Sequence, residues 1–269
     1  MLSDAHCHPF DLPVFSPSFE AERRRLGVIA AASACGIDEF SHNEILSHNA
    51  DKENAPPLYA CFGIHPQIFK IRNEEADLLL EGTGNLLETL EMLASQKRIA
   101  AVGECGFDLY NSAFKETEAL QDSVFPLHLE TALRYELPLV LHVRRAMHKI
   151  FSFSKNLAGL KAVIFHSWSG AYEEALALLR RGVNAYFSFG NTIMLNHKQA
   201  MKSCALLPED RLLTETDSPY QPRRGETFSQ WADLLLILNA MAALRNEAGN
   251  KTDKNNFENQ IEINFRKIF

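Results

Sequence analysis

Eight short runs rich in Val, Ile, Leu, Ala and Phe recur along the chain, at residues 2–5, 26–32, 58–62, 98–103, 137–141, 161–165, 183–187 and 211–216. Near-continuous apolar runs suit strands covered on both faces, and their alternation with stretches of helical spacing predicts a parallel sheet. Eight such units predict closure into an α/β fold of the TIM (β/α)8 barrel type. Between them, residues 73–95 place Ala76, Leu79, Leu80, Leu86, Leu87, Leu90 and Leu93 around Gly82 and Gly84, which predicts two helices or one broken helix. Residues 121–136 set Val124, Leu127, His128, Thr131 and Tyr135 at helical spacing before Leu137-Pro138 ends the pattern. The stretch 171–181 stops at Gly182, a C-cap signal, and 228–245 carries Trp231, Leu234, Leu235, Leu238 and Met241 on one core-packing face. The least regular segments are 10–17, 37–57 and 220–227, of which the first and last follow the first and eighth runs, where a barrel keeps its active-site loops. A polar stretch, 246–256, leads to a final helix ending at Phe269.

Composition narrows this picture without changing it. A barrel takes about 250 residues, the chain has 269, and it shows neither an internal repeat nor a low-complexity boundary, so one domain over 1–269 is expected. No apolar run approaches the roughly 20 residues that cross a bilayer, and the opening Met1-Leu2-Ser3-Asp4 lacks a signal-peptide pattern. The expectation is a cytoplasmic protein without a membrane or obligate protein partner. Five cysteines, with no C-x-x-C pair, argue against a disulfide framework and a Cys-type zinc site. A net charge of -7 excludes a general nucleic-acid magnet, so any nucleic-acid substrate must be held locally.

Chemistry gathers at the ends of the runs. In Asp4-Ala5-His6-Cys7-His8, residues two apart on a strand point the same way, so His6 and His8 can grip one ion. Glu104, His142 and His166 each follow an apolar run, and Asp217 closes the last one. Any one of these alone reads equally well as a satisfied buried polar group. Six together, costly to desolvate unless paired or metal-bound, point to two divalent ions. His128, His148 and His197 fall in helical stretches and are read as packing or surface residues, while Cys7 and Cys105 should point away from the site by alternation.

Asp4-Ala5-His6-Cys7-His8, Gly63-Ile64-His65-Pro66, Gly103-Glu104-Cys105-Gly106-Phe107-Asp108, Leu141-His142-Val143-Arg144, His166-Ser167-Trp168-Ser169-Gly170 and Glu215-Thr216-Asp217-Ser218-Pro219 resemble, in order and spacing, the TatD family of metal-dependent DNases. The resemblance implies a phosphodiesterase on a TIM barrel, acting on DNA. It makes His6 and His8 ligands of one metal, His142 and His166 ligands of the other, Glu104 the bridge, and Asp217 a ligand of the first metal and the general base. It places His65 and Arg144 on substrate phosphate. By alternation Glu215, two residues before Asp217, should share its face of the strand and orient a ligand, and Asp108, beyond the Gly103-Glu104-Cys105-Gly106 turn, is read as behind a ligand or against substrate. The donor set suits Zn, Mn, Ni or Co, with Mg able to exchange during turnover.

The sequence departs from the family pattern at Gln67, at Ser167-Trp168 and over 220–230, where Arg223 and Arg224 stand in place of the usual element. With His65, Arg144 and Arg145, these arginines would make a narrow electropositive pocket suited to a single strand or frayed end. Two other readings remain at this point. One is a small-molecule ester, amide or lactone hydrolase of the same superfamily, disfavoured by Glu104 where those relatives often carry a carboxylated lysine. The other is a barrel turned binding module.

Overall fold

The structure, a computed structural model, describes residues 1–71 and 76–269. Eight parallel strands hydrogen-bond in sequence order: β1 (Leu2–Cys7), β2 (Val28–Ala32), β3 (Leu58–Phe62), β4 (Ala101–Asp108), β5 (Leu139–Arg144), β6 (Val163–Phe165), β7 (Ala185–Phe189) and β8 (Leu212–Thr214). Helices alternate with them, giving the TIM barrel that the apolar runs predict. β8 returns to β1 through Thr214 Oγ1 to Ser3 O (2.6 Å), Asp217 N to His6 O (2.9 Å) and His8 N to Ser218 O (2.8 Å).

Alternation along the strands divides the core into two layers. Ala5, Ile29, Ala31, Cys61, Ala101, Val140, Ala162, Ile164, Tyr186 and Leu213 fill the barrel interior, where Phe265 and Ile268 of the C-terminal helix Lys254–Ile268 join them. The opposite faces, among them Val28, Val102, Leu139, Leu141, Phe165 and Leu212, pack against the surrounding helices. The interior is thus apolar at the end the C-terminal helix covers, which leaves the C-terminal ends of the strands for polar side chains.

Several local expectations change. Over the described residues of 73–95 there is one helix, Ala76–Ser95, running through Gly82 and Gly84. Two glycines cost about 2 kcal/mol together in a helix interior, less than is recovered by full burial of Leu90 and Leu93. Residues 72–75, where that expectation began, lie outside the described residues. Most of the irregular stretch 37–57 is a helix, Ile37–Lys52, whose buried face includes Asn43, with Nδ2 on Ser33 O at 3.1 Å. A polar residue on the buried face blurs the apolar period. The helix expected over 228–245 spans Asp233–Glu247, so Trp231 is buried ahead of it and Leu235 points out.

Candidate metal centre

The six residues singled out at the strand ends meet at one mouth of the barrel. Three sit inside strands, His6 in β1 and, where the expectation put them just beyond, Glu104 and His142, because β4 and β5 run on through them. His8 and His166 lie one residue past their strands, and Asp217 lies three past β8. β1 and β4 each carry one extra residue relative to their neighbours, between Asp4 and Cys7 and between Val102 and Cys105. These bulges turn His6 and Glu104 inward and leave Cys7 and Cys105 in the helix layer, as expected for the thiols.

Distances favour ion binding. His6 Nε2 lies 3.1 Å from His8 Nε2, 3.5 Å from Asp217 Oδ1 and 3.1 Å from Glu104 Oε2; His8 Nε2 lies 3.4 Å and 3.7 Å from the same two oxygens. A tetrahedron with bonds of about 2.0–2.1 Å has edges of about 3.3–3.4 Å, so His6, His8 and Asp217 fit one cation, with Glu104 Oε2 beside both imidazoles. The other oxygen, Glu104 Oε1, faces His142 Nδ1 at 2.7 Å, His166 Nε2 at 3.1 Å and His65 Nε2 at 3.3 Å. One carboxylate therefore turns each oxygen to a different set of imidazoles.

By distance alone His65 groups with Glu104 and His142, and His166 also groups with His6. The groups facing the far nitrogens of His6, His65, His142 and His166 separate them. A ligating imidazole needs its other nitrogen to donate, usually to a carboxylate or hydroxyl. His142 Nε2 faces Asp108 Oδ2 at 3.0 Å, His166 Nδ1 lies 3.4 Å from Glu215 Oε1, and Ser33 Oγ, 3.1 Å from His6 Nδ1, can accept. His65 is reversed: its Nδ1 accepts from Gln67 N at 3.2 Å, so the neutral ring carries its proton on Nε2 and presents a donor. Asp108 thus stands bonded behind His142, and Glu215 lies as the carboxylate behind His166.

Electrostatics follow from burial and crowding. Burial would raise Glu104, but the charges of His65, His166 and His6 hold it well below the usual carboxylate range. Burial likewise opposes Asp217, and the hydrogen bond to His8 together with the charges of His166, His6 and His8 outweighs it, holding the carboxyl below its usual range. Asp108 is pulled down to about 2, against burial, by hydrogen bonds from His142, Gln67 and Tyr110 N. Burial pushes the Asp4 carboxyl up to about 8; it spans the β8–β1 seam, accepting from Thr216 N (2.9 Å), Thr216 Oγ1 (2.6 Å) and His6 N (3.2 Å).

A cavity of about 750 Å³ opens over these groups, with Glu39, Arg144, Tyr220 and Gln221 on its walls. Gln221 Nε2 donates to Asp217 Oδ2 at 2.6 Å. Asp4, Ser33, Gln67 and Gln221 escaped the sequence reading as supports, since only Asp4 stood in a motif with recognisable spacing. The electropositive pocket is smaller than expected. Arg223 is drawn away to buried Asp233 at 2.8 Å, Arg145 bonds Tyr110 O, and Arg224 is absent from the cavity lining.

The family model described as TatD related DNase matches residues 3–269. The chain belongs to the TatD-related DNase family. Its TatD relatives include the uncharacterized metal-dependent hydrolase YjjV of Escherichia coli, 32% identical over 82% of this chain and 81% of that protein. The 3'-5' ssDNA/RNA exonuclease TatD of Erwinia tasmaniensis is 27% identical over 97% and 99% of the two chains. The crystal structure of the TatD homolog YjjV superposes with a TM-score of 0.81 at 26% identity, covering 100% of this chain and 97% of that one. TatD membership makes the protein a metal-dependent hydrolase of phosphodiester bonds, and neither the lactonase nor the binding-module reading is favoured. Among the described residues no helix is long and apolar enough to cross a membrane.

Proposed function

We propose that the protein is a nuclease that uses two divalent cations to hydrolyse phosphodiester bonds in single-stranded or frayed DNA, acting as a single barrel domain over 1–269. The observation that carries this reading is Glu104, whose two oxygens each face their own cluster of imidazoles. When bound, a pair of divalent cations, Zn, Mn, Mg, Ni or Co, supplies a water acidified towards neutral pH and positive charge opposite the phosphoryl oxygens. His6, His8, Asp217 and Glu104 Oε2 would hold one ion. Glu104 Oε1, His142 and His166 would hold the other.

The remaining work falls to side chains. Asp217, kept ionised by His8 and anchored by Gln221, takes the proton of the attacking water as general base. His65 offers Nε2–H to a phosphoryl oxygen rather than a lone pair to a metal. Arg144, at the end of β5 and braced 3.5 Å from Asp108, offers a fork that fits two phosphate oxygens. The buried thiols of Cys7, Cys61, Cys105 and Cys204 accord with a reducing compartment, and we place the enzyme in the cytoplasm.

The test is metal-stripped protein, re-supplied with each divalent ion in turn and given end-labelled single-stranded and duplex DNA. The expected result is ion-dependent cleavage, faster on the single strand. No cleavage with any ion, or cleavage undiminished by removal of Glu104, would overturn the reading.

A further inference from the structure

Among the described residues, the aromatic side chains more than a third exposed are Phe10, Phe15, Tyr110 and Tyr220, at 40%, 47%, 46% and 50%. All four follow the C-terminal ends of strands: Phe10 and Phe15 after β1, Tyr110 after β4, Tyr220 after β8. Elsewhere on the surface aromatic rings are at least partly covered, so this distribution marks one face, the one that carries the cavity. Tyr220 lines that cavity directly. Its ring stands edge-on to His8 with centroids 5.2 Å apart, and its hydroxyl is fixed to Asp11 Oδ2 at 3.0 Å. Phe15 stacks on Phe228, from the loop after β8, at 5.4 Å. Tyr110 belongs to the far side of the ring of strands, where the guanidinium groups of Arg144 and Arg145 lie 4.0 and 4.6 Å from its ring centre.

Charge alone does not hold a polyanion here. The chain carries a net -7, the cavity walls include Asp11 and Glu39, and Arg144 is the only arginine or lysine among the lining residues. Beyond the one phosphate that bound cations, His65 and Arg144 would hold, a strand at this mouth must gain its affinity from something other than phosphate contacts. Bases stack on aromatic rings and on guanidinium planes, but only when their faces are free.

We infer that the exposed aromatic side chains at the mouth form a stacking track for unpaired bases, with Tyr220 receiving the base next to the scissile phosphate and the Tyr110–Arg144–Arg145 stack receiving a base on the other side. This rests on the nuclease reading and deepens it, because it makes unpaired nucleic acid the substrate and excludes an intact duplex, whose base faces are occupied. Tyr220 is held at both ends, by His8 and by Asp11, so it presents its platform without an ordering cost on binding.

The experiment crosses two changes: Tyr220→Ala in the metal-loaded full-length protein, and a single abasic residue beside the cleaved bond of a short single-stranded oligonucleotide. On the ordinary oligonucleotide Tyr220→Ala should raise KM roughly tenfold, within the span that base–aromatic stacking gives, while Tyr220→Phe, which keeps the ring and loses only the bond to Asp11, should raise it less. On the abasic oligonucleotide the parent's KM should rise by a similar factor, and the further effect of Tyr220→Ala should shrink to near one. KM should also depend weakly on salt, with a log–log slope no steeper than about 1.4, the value for two phosphate contacts on a single strand. An equal penalty from Tyr220→Ala on both oligonucleotides, no penalty on either, or a slope above about 3 would overturn the stacking track while leaving the nuclease intact. Failure of the parent to cleave either oligonucleotide would sink the nuclease reading and this one with it.

Discussion

Of the strands that bring candidate ligands to the mouth of the barrel, β1, β4, β5 and β6 carry the histidines and Glu104, and they do so in two ways. β5 and β6 keep strict alternation: Leu139 and Leu141 face the helices while Val140 faces inward, Val163 and Phe165 face the helices while Ile164 faces inward, and His142 and His166 take the next inward places. β1 and β4 break it. Ala5 lies inside and Cys7 outside although they are two apart, and Ala101 lies inside with Cys105 outside although they are four apart. In each the extra residue of a bulge turns an out-facing position inward, and the residues turned are His6 and Glu104. The regular strands supply one imidazole each, whereas the bulged strands bring in Glu104, which faces both imidazole sets, and His6 beside it. Position, more than residue type, is what the bulges provide.

The sharpest way to break that comparison is Glu104→Ala, which removes the group both halves share. Turnover should fall by more than the roughly 10⁴-fold upper range of a single general base, read as initial rate on single-stranded DNA. A variant within tenfold of the parent would contradict the bridging role. Next, Gly103→Ala tests the bulge itself. Gly103 has φ +138°, and an added Cβ would stand 2.5 Å from Val140 O. Activity should drop on the order of 10²-fold, the scale of an ångström's misplacement, with the fold retained by circular dichroism. On the regular strand, Leu139→Ala should cost about 2–5 kcal/mol of stability and leave kcat near the parent at temperatures where the variant is folded. If Gly103→Ala lost only stability, or Leu139→Ala lost only activity, the contrast would fail.

A third prediction concerns His128 of the helix Glu118–Arg134, which holds the loop that carries His65 by accepting from Ile64 N at 2.8 Å. Burial pushes this imidazole down to about 4, against about 6.5 in an unfolded chain. Between those values the unfolded chain binds more protons, so its contribution is fully present above about pH 6.5 and lost as pH falls towards 4. The loss is roughly 3 kcal/mol. Denaturant melts from pH 7 to pH 4 should show this slope in the parent and a shallower one in His128→Gln; identical slopes would remove His128 from the account. The smallest effect is expected at Asp108→Asn, which deprives His142 of its carboxylate. Metal affinity should weaken by about 10–100-fold, measured by equilibrium dialysis, and an unchanged affinity would mean that His142 needs no orienting partner.

Strands were legible because each is a near-continuous apolar run, and the site residues because imidazoles and carboxylates at the ends of such runs are conspicuous. Two kinds of feature were not. Bulges are a matter of hydrogen-bond register between chain segments, and nothing in Ala5-His6-Cys7 or Gly103-Glu104-Cys105 announces which residue is the extra one. Partners across space are equally silent: Gln67 under Asp108, Gln221 on Asp217 and Asp233 on Arg223 join residues that are 41, 4 and 10 positions apart. The helix Ile37–Lys52 was hidden because Asn43 occupies its buried face and Ile45 its exposed one.

The central claim is that Glu104 joins two cation sites whose joint occupancy drives hydrolysis. Titrating metal-stripped protein with Mn²⁺ while following both ions bound per chain and cleavage of end-labelled single-stranded DNA tests it directly. Activity should plateau as the second ion binds, with two ions per chain at saturation. Full activity with no ion, or with one ion and no further binding, would contradict it.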